Sequence, residues 1–232
     1  MRSTSRMTMT ALAVGLVLMM SSCTATPGDD EPAADLYGQA REQYTAMAEQ
    51  LHAVIMAIEP VEWRVDQGQY GARPSGCQLG VSSETGYSFS AVRALELPGR
   101  DPAQVAAAAS EGFAELGVAA EVVERGSGDA REVTVVGESD AARTVVVVRP
   151  ADGRVLVSSE TGCLPGSSSE ILTTMFGEEL YPDDVWRRIP ATEGPSSVPQ
   201  FFFPADGPLY YEEDGTPTQP QPLVTRAPTP AP

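Results

Sequence analysis

The chain has 232 residues, 42% of them apolar, and its 32 acids against 15 basic residues give a formal net charge of −17. That length suits one ordinary domain plus tails, and the apolar share permits a packed core, which excludes wholesale disorder. The charge and the lack of a basic patch exclude binding to nucleic-acid backbones, and they exclude electrostatic docking on anionic lipid headgroups.

All fifteen basic residues are Arg, and both Lys and Asn are missing. Codons for Lys and Asn are A-rich, so their joint absence points to a GC-rich genome of the kind many actinobacteria have.

Arg2 and Arg6 form a positive n-region ahead of an apolar run, "TALAVGLVLMM", from Thr10 to Met20, followed by Ser21 and Ser22. This is the anatomy of an export signal. The run is too short to span a bilayer, which needs about 20 residues. Two ways of processing it follow. Cleavage after Ala25 would release a free protein. Alternatively, "MSSC", Met20 to Cys23, resembles a bacterial lipobox: an apolar residue and two small ones before a Cys, with Met20 where Leu is usual. The resemblance implies a diacylglyceryl group on the Cys23 thiol and Cys23 as the mature N-terminus. Palmitate-length chains at about 0.8 kcal/mol per buried CH₂ make such an anchor stable when two or more are present. Met1–Ser22 hold two Arg and no acid, so their removal takes the net charge from −17 to −19.

The chain has three cysteines. With Cys23 lipidated, Cys77 and Cys163 remain, and an exported pair is expected to oxidise. The bridge would close a long loop, for which chain entropy allows at most about 4–5 kcal/mol. A metal or redox pair is the weaker alternative, because there is no CxxC spacing and only one His.

"TATPGDDEPAA", from Thr24 to Ala34, reads as a flexible acidic tether that spans roughly 15–20 Å. Asp35 to Ile58 then carries Leu36, Ala40, Tyr44, Met47, Leu51, Ile55 and Ile58 at spacings of three and four, which predicts a helix ended by Pro60. Val61, Trp63 and Val65 alternate with Glu62, Arg64 and Asp66, the pattern of a half-buried strand. Gln69 to Gly76 is a turn region. A strand is expected within Tyr87–Leu97, with Tyr87, Phe89 and Ala91 on one face.

"LPGRDPAQVAAAASEGFAELG" is the clearest helix signal: Asp101 as cap, Pro102 at the first position, Gln104 at capping-box spacing and Gly117 beyond the end. Val105, Ala109, Phe113 and Leu116 supply its expected buried face. Strands are expected at Val118–Glu124, Glu132–Val136, Arg143–Arg149 and Arg154–Ser159, joined by links too short for parallel crossovers. "TVVVV" in the third lacks alternation, which predicts a central strand covered on both sides. "VSSETG" occurs twice, at Val81–Gly86 and Val157–Gly162, and both copies read as strand-end turns rather than a duplicated half-domain.

From Pro190 onward lie 11 of the 20 prolines, together with five aromatics in "PQFFFPADGPLYYEEDG". The segment is expected to be extended, with its aromatics packed back on the domain rather than serving as a recognition motif. The organisation is therefore residues 1–22 as signal peptide, 23–34 as lipidated N-terminus and tether, 35–189 as one domain, and 190–232 as a Pro-rich tail. The domain is expected to be an α+β two-layer sandwich, with two main helices on an antiparallel sheet of about five to six strands.

Catalytic signals are weak. His52 flanks the apolar stripe of the first helix, and no G-x-S-x-G elbow accompanies it. Glu178–Glu179, Asp183–Asp184 and Glu212–Asp214 read as solvated acids outside calcium-loop spacing. "GSGD" at Gly126–Asp129 reads as a turn between strands, without the length or the following helix of a phosphate loop.

The signal ending in Cys23, the helix "YTAMAEQLHAVIMAIEPVEWRV", "SGCQL" around Cys77, "TGC" ending in Cys163 and the Pro-rich tail together resemble the LppA-like lipoproteins of mycobacteria and related actinobacteria. That family's tail is shorter, which leaves Phe201–Asp214 without a counterpart. The resemblance implies a surface lipoprotein and carries over no catalytic residue. The expected protein is thus a non-enzymatic, lipid-anchored protein on the extracytoplasmic face of the cell membrane. It is expected to take no cofactor or metal and no nucleic acid, and to meet the membrane through its anchor. An extracytoplasmic carrier of a small or lipidic ligand is the alternative, and a paired-carboxylate hydrolase comes third.

Overall fold

A computed structural model describes residues 35–65, 73–80, 85–176, 192–198 and 201. The signal, Cys23 and the tether lie outside the described residues. So do the acidic pairs, residues 81–84 of the first "VSSETG" copy, and the tail after Phe201.

Helix α1 runs from Leu36 to Ile58. The Asp35 carboxylate accepts from the Gly38 N–H at 3.1 Å and caps it. The expected stripe is buried from Ala40 onward, and Ala48, Gln50 and Val54 are buried as well. The buried arc is broader than one stripe because α1 has neighbours on two sides.

Helix α2, Pro102–Glu115, follows its sequence signals at both ends. Asp101 accepts from the Ala103 N–H at 3.0 Å. At the other end the Gly117 N–H donates to the Ala114 carbonyl and the Val118 N–H to the Phe113 carbonyl. This is the paired pattern of a Schellman cap, with Gly117 at φ +72°. Leu116 was expected in the buried face but is 43% exposed, because the helix has already ended at Glu115.

Among the described residues the main sheet has seven strands, every neighbouring pair antiparallel. In chain order these are β1 (Trp63–Val65), β4 (Ser90–Glu96), β5 (Ala120–Arg125), β6 (Glu132–Glu138), β7 (Arg143–Arg149), β8 (Arg154–Glu160) and β10 (Thr192–Glu193), arranged across the sheet as β10-β1-β4-β8-β7-β6-β5. A second sheet of three strands, β2 (Ser75–Gln78), β3 (Thr85–Ser88) and β9 (Leu164–Pro165), has the order β2-β3-β9. The molecule is the expected α+β sandwich, with more strands than expected.

Two of the extra strands come from sheet switching. The single strand expected from Tyr87 divides at Phe89: β3 pairs in the small sheet and β4 in the large one. β8 and β9 divide alongside it. Thr161 bridges the gap, because its N–H donates to the Phe89 carbonyl while its hydroxyl accepts from the Phe89 N–H, both at 2.9 Å. The second "VSSETG" copy is therefore not a strand-end turn throughout. Val157–Glu160 lies inside β8 and pairs with both β4 and β7. In the first copy Thr85 and Gly86 begin a strand instead.

"TVVVV" also departs from expectation. In β7, Thr144, Val146 and Val148 are buried while Val145 and Val147 are only half-buried, a one-sided alternation. Val145 stands opposite Val136 and Ser158, and Val147 opposite Thr134 and Leu156. These cross-strand neighbours shield one another on the face away from the helices, so the apolar run needs no second helix layer.

A third helix, α3 (Ser168–Phe176), was not anticipated. Its sequence, "SSEILTTMF", is rich in β-branched residues with modest helix propensity. Its start was nevertheless legible as S-x-x-E: the Ser167 hydroxyl accepts from the Glu170 N–H.

Between helices and sheet the core is built from Met47, Leu51, Val54, Ile55, Phe113, Val135, Val146 and Val157, all fully or almost fully buried. The layers meet closely where the Phe113 ring lies over Gly137. A Cβ there would stand 2.4 Å from the ring carbons. Gly137→Ala should therefore destabilise the fold by about 1–3 kcal/mol through overpacking. In urea unfolding the midpoint should fall with the m-value unchanged.

Candidate functional site

Among the described residues, three places gather polar or reactive groups. The first is the seam between α1 and the β1–β10 edge. β4 alternates with Ala91, Arg93 and Leu95 on the helix side, so Arg93 is aimed into the core, and its side chain is only 9% exposed. A buried guanidinium requires an anion. Glu193 provides it, with Arg93 Nε to Glu193 Oε2 at 2.5 Å. The other carboxylate oxygen meets His52 Nδ1 at 2.7 Å. Arg93 also donates to the Val92 carbonyl.

Glu193 reaches this position because β10 pairs with β1, in the register Trp63↔Glu193 and Arg64↔Thr192. The domain therefore does not end at residue 189. The start of the supposed tail contributes an edge strand and a buried acid. It also contributes Phe201, which packs against Tyr44, Phe89 and Tyr37 at centroid separations of 5.4, 5.9 and 6.1 Å. For Phe201 the expectation that the tail's aromatics fold back holds.

Tyr44 sits between these charges and these rings. Burial pushes its phenol up to about 12; Arg93 opposes that rise and Glu193 adds to it. The Tyr87 phenol is raised as well, by burial.

The second place is a buried chain of hydroxyls and an amide. Gln50 Nε2 donates to the Ala142 carbonyl and to Thr144 Oγ1, and Gln50 Oε1 accepts from Ser139. Thr144 and Ser159 share a further bond at 2.7 Å. These bonds tie α1 to the β6–β7 turn and satisfy one another, which makes the group a positioning device.

The third is the disulfide corner. Cys77 and Cys163 are bonded, 86 residues apart in sequence. Cys77 lies opposite Gly86 in the β2–β3 ladder, and the Cys163 sulfur occupies the space where a Gly86 Cβ would be, at 2.6 Å. The bridge thus needs the bare backbone of Gly86. An open cleft of about 290 Å³ lies beside it, lined in part by Gly76, Cys77, Ser167 and Ser168.

Of the residues singled out from sequence, Cys77 and Cys163 are brought together. His52 is drawn into a hydrogen bond with Glu193 at the helix flank. Cys23 lies outside the described residues. The "GSGD" turn joins β5 to β6 through a single 3₁₀ turn, Gly128–Ala130, as expected of a link. Arg93 and Glu193 were missed. The legible signal was an Arg on the apolar face of an alternating strand, which demands a buried acid but does not say which of 32 supplies it.

No family model matches the chain, and no curated protein matches it. Among solved structures it is similar to the crystal structure of a DUF4853 family protein from Actinomyces odontolyticus, at 17% identity over 57% of this chain and 70% of that one, with a TM-score of 0.38.

Two outcomes follow from the site. For Tyr44 the folded-state value lies above the unfolded value of about 10. Its contribution is therefore fully present below pH 10 and is lost as pH rises towards 12. Stability should drop by about 2–3 kcal/mol across that window, and Tyr44→Phe should remove most of the drop, as measured by urea midpoints at stepped pH. At the corner, Cys77→Ser with Cys163→Ser should cost about 2–5 kcal/mol. A non-reducing digest of the native chain should join the two cysteine peptides.

Proposed function

We propose that the chain is a lipid-anchored protein of the extracytoplasmic face of the cell membrane, and that its α+β domain works by binding rather than by catalysis. The observation that carries this reading is the Cys77–Cys163 bridge. It uses two of the three cysteines, as suits an oxidising compartment, and leaves Cys23 alone at the end of an export signal. No helix of the described residues is long and apolar enough to cross a membrane. In this reading attachment rests on acyl chains on Cys23. The likeness of its motifs to LppA-like lipoproteins belongs to the same reading.

The binding role is supported by what the polar groups already do. The Glu193 carboxylate is engaged on both oxygens, by Arg93 and His52, rather than poised as an acid or base. The carrier alternative calls for a cavity between the layers, and there the rings and branched chains of Phe113, Leu51, Ile55 and Val146 fill the space.

Intact-mass analysis of the mature protein should find Cys23 as the first residue, carrying a diacylglyceryl group. Cys23→Ser should shift the protein out of the membrane fraction. An unmodified chain beginning at Thr26 would refute the anchor.

A further inference from the structure

The two edges of the main sheet are unlike each other. At one end β10 pairs with β1 through two residues, short enough to offer another strand little. At the other end β5 pairs with β6 through six consecutive residues, Ala120 to Arg125, with no bulge. Among the described residues nothing pairs with its outer side. β5 holds neither Pro nor Lys, residues that commonly blunt an edge. Its register with β6 puts Ala120, Val122 and Glu124 on the helix face, and Glu121, Val123 and Arg125 on the other. α2 lies mainly over β6 and β7, so Val122 stays 53% exposed although it stands opposite the buried Val135.

We propose that β5 is a dimerisation edge, which pairs antiparallel with β5 of a second copy of this chain about a two-fold axis through Val123. Charge selects the occupant and the register. That axis sets Val123 opposite its own copy and Glu121 opposite Arg125 twice, all on the face away from the helices. Moved to Glu124, the axis sets that acid against itself. Moved to Val122, it separates Glu121 from Arg125. Placed between Val122 and Val123, it sets Glu121 against Glu124. One alignment of these four thus unites opposite charges, and opposite charges on facing strands stabilise a pair whereas like charges destabilise it. Both partners are at hand. Glu121 and Arg125 are exposed and make no ion pair among the described residues. The Glu132 that stands opposite Arg125 within its own sheet is held by Arg149, and Glu124 is held by Arg131. The contact is isologous and closes at two copies, because pairing uses up the open β5 edge of each. Both helix layers then lie on one side of a continuous sheet, with the Val122 side chains of the two copies beside the junction. The inference goes beyond the binding reading above and does not depend on the anchor.

Sedimentation equilibrium of the full chain tests this, with Cys23→Ser throughout so that no acyl chain drives association. The ionic strength is set at about 0.15 M, where repulsion between copies of net charge −17 is screened beyond about 8 Å. The chain should dimerise. Glu121→Arg should weaken the dimer about tenfold, because it places two Arg–Arg contacts at the junction. Glu121→Arg combined with Arg125→Glu should restore it to within about twofold. A monomer at all concentrations up to about 1 mM overturns the proposal. So does a dimer that is indifferent to Glu121→Arg, or one that the charge exchange does not rescue. Where a variant fails to fold, hydrogen exchange on the chain with β5 unaltered decides. Amides of β5 should exchange more slowly as concentration rises, and exchange that is independent of concentration overturns the proposal.

Discussion

Helix α1 has to bury itself against three neighbours at once, and the rest of the fold is arranged around that demand. Met47, Leu51, Val54 and Ile55 are wholly buried, and each contributes about 1.5–3 kcal/mol by leaving water. α1 packs on α2, on the strands beneath it and on α3. Gly112 brings α2 to within van der Waals contact of Ala57 and the Val54 backbone. Gly137 does the same for Phe113 above the sheet. Both helices are thereby held close, α2 against α1 and against the sheet.

The edge nearest α1 is where the chain departs from a plain sandwich. Arg93 stands on the core face of a central strand, and its charge is tolerated because a carboxylate from the far end of the sequence is delivered to it. The same delivery ties His52, Tyr44 and Phe201 into one seam. Beside Phe201 the β4–β8 ladder bends through Phe89 and Thr161 into the small sheet, where the disulfide ties β2 to the residue before β9. The β4–β8 pair thus runs from the Arg93–Glu193 contact to the covalently pinned corner.

Much of this was legible in order of appearance. The ends of α1 and α2 follow from Asp35, Pro60, Asp101, Pro102 and Gly117, because capping is decided within a few residues. The meander from β5 to β8 follows from alternation and short links. The apolar run in β7 misled because lateral shielding by Val136 and Leu156 looks, in one dimension, the same as a second covering layer. Leu116 misled because helical periodicity continues one residue past the turn that ends the helix. α3 was overlooked although Ser167 and Glu170 mark its start.

The sequence by itself determined the spacing of the three cysteines, the helix caps, the meander and an apolar strand face that carries Arg93 and so calls for a buried acid. These are properties of neighbouring residues or of simple counts. Only the tertiary structure decided that the acid is Glu193, that two residues beyond Pro190 complete the sheet, and that Phe89 is where one strand serves two sheets. Those choices depend on which surfaces meet across separations of about 100 residues. Such meetings are governed by packing of the whole domain, and no local pattern in a Pro-rich segment encodes them.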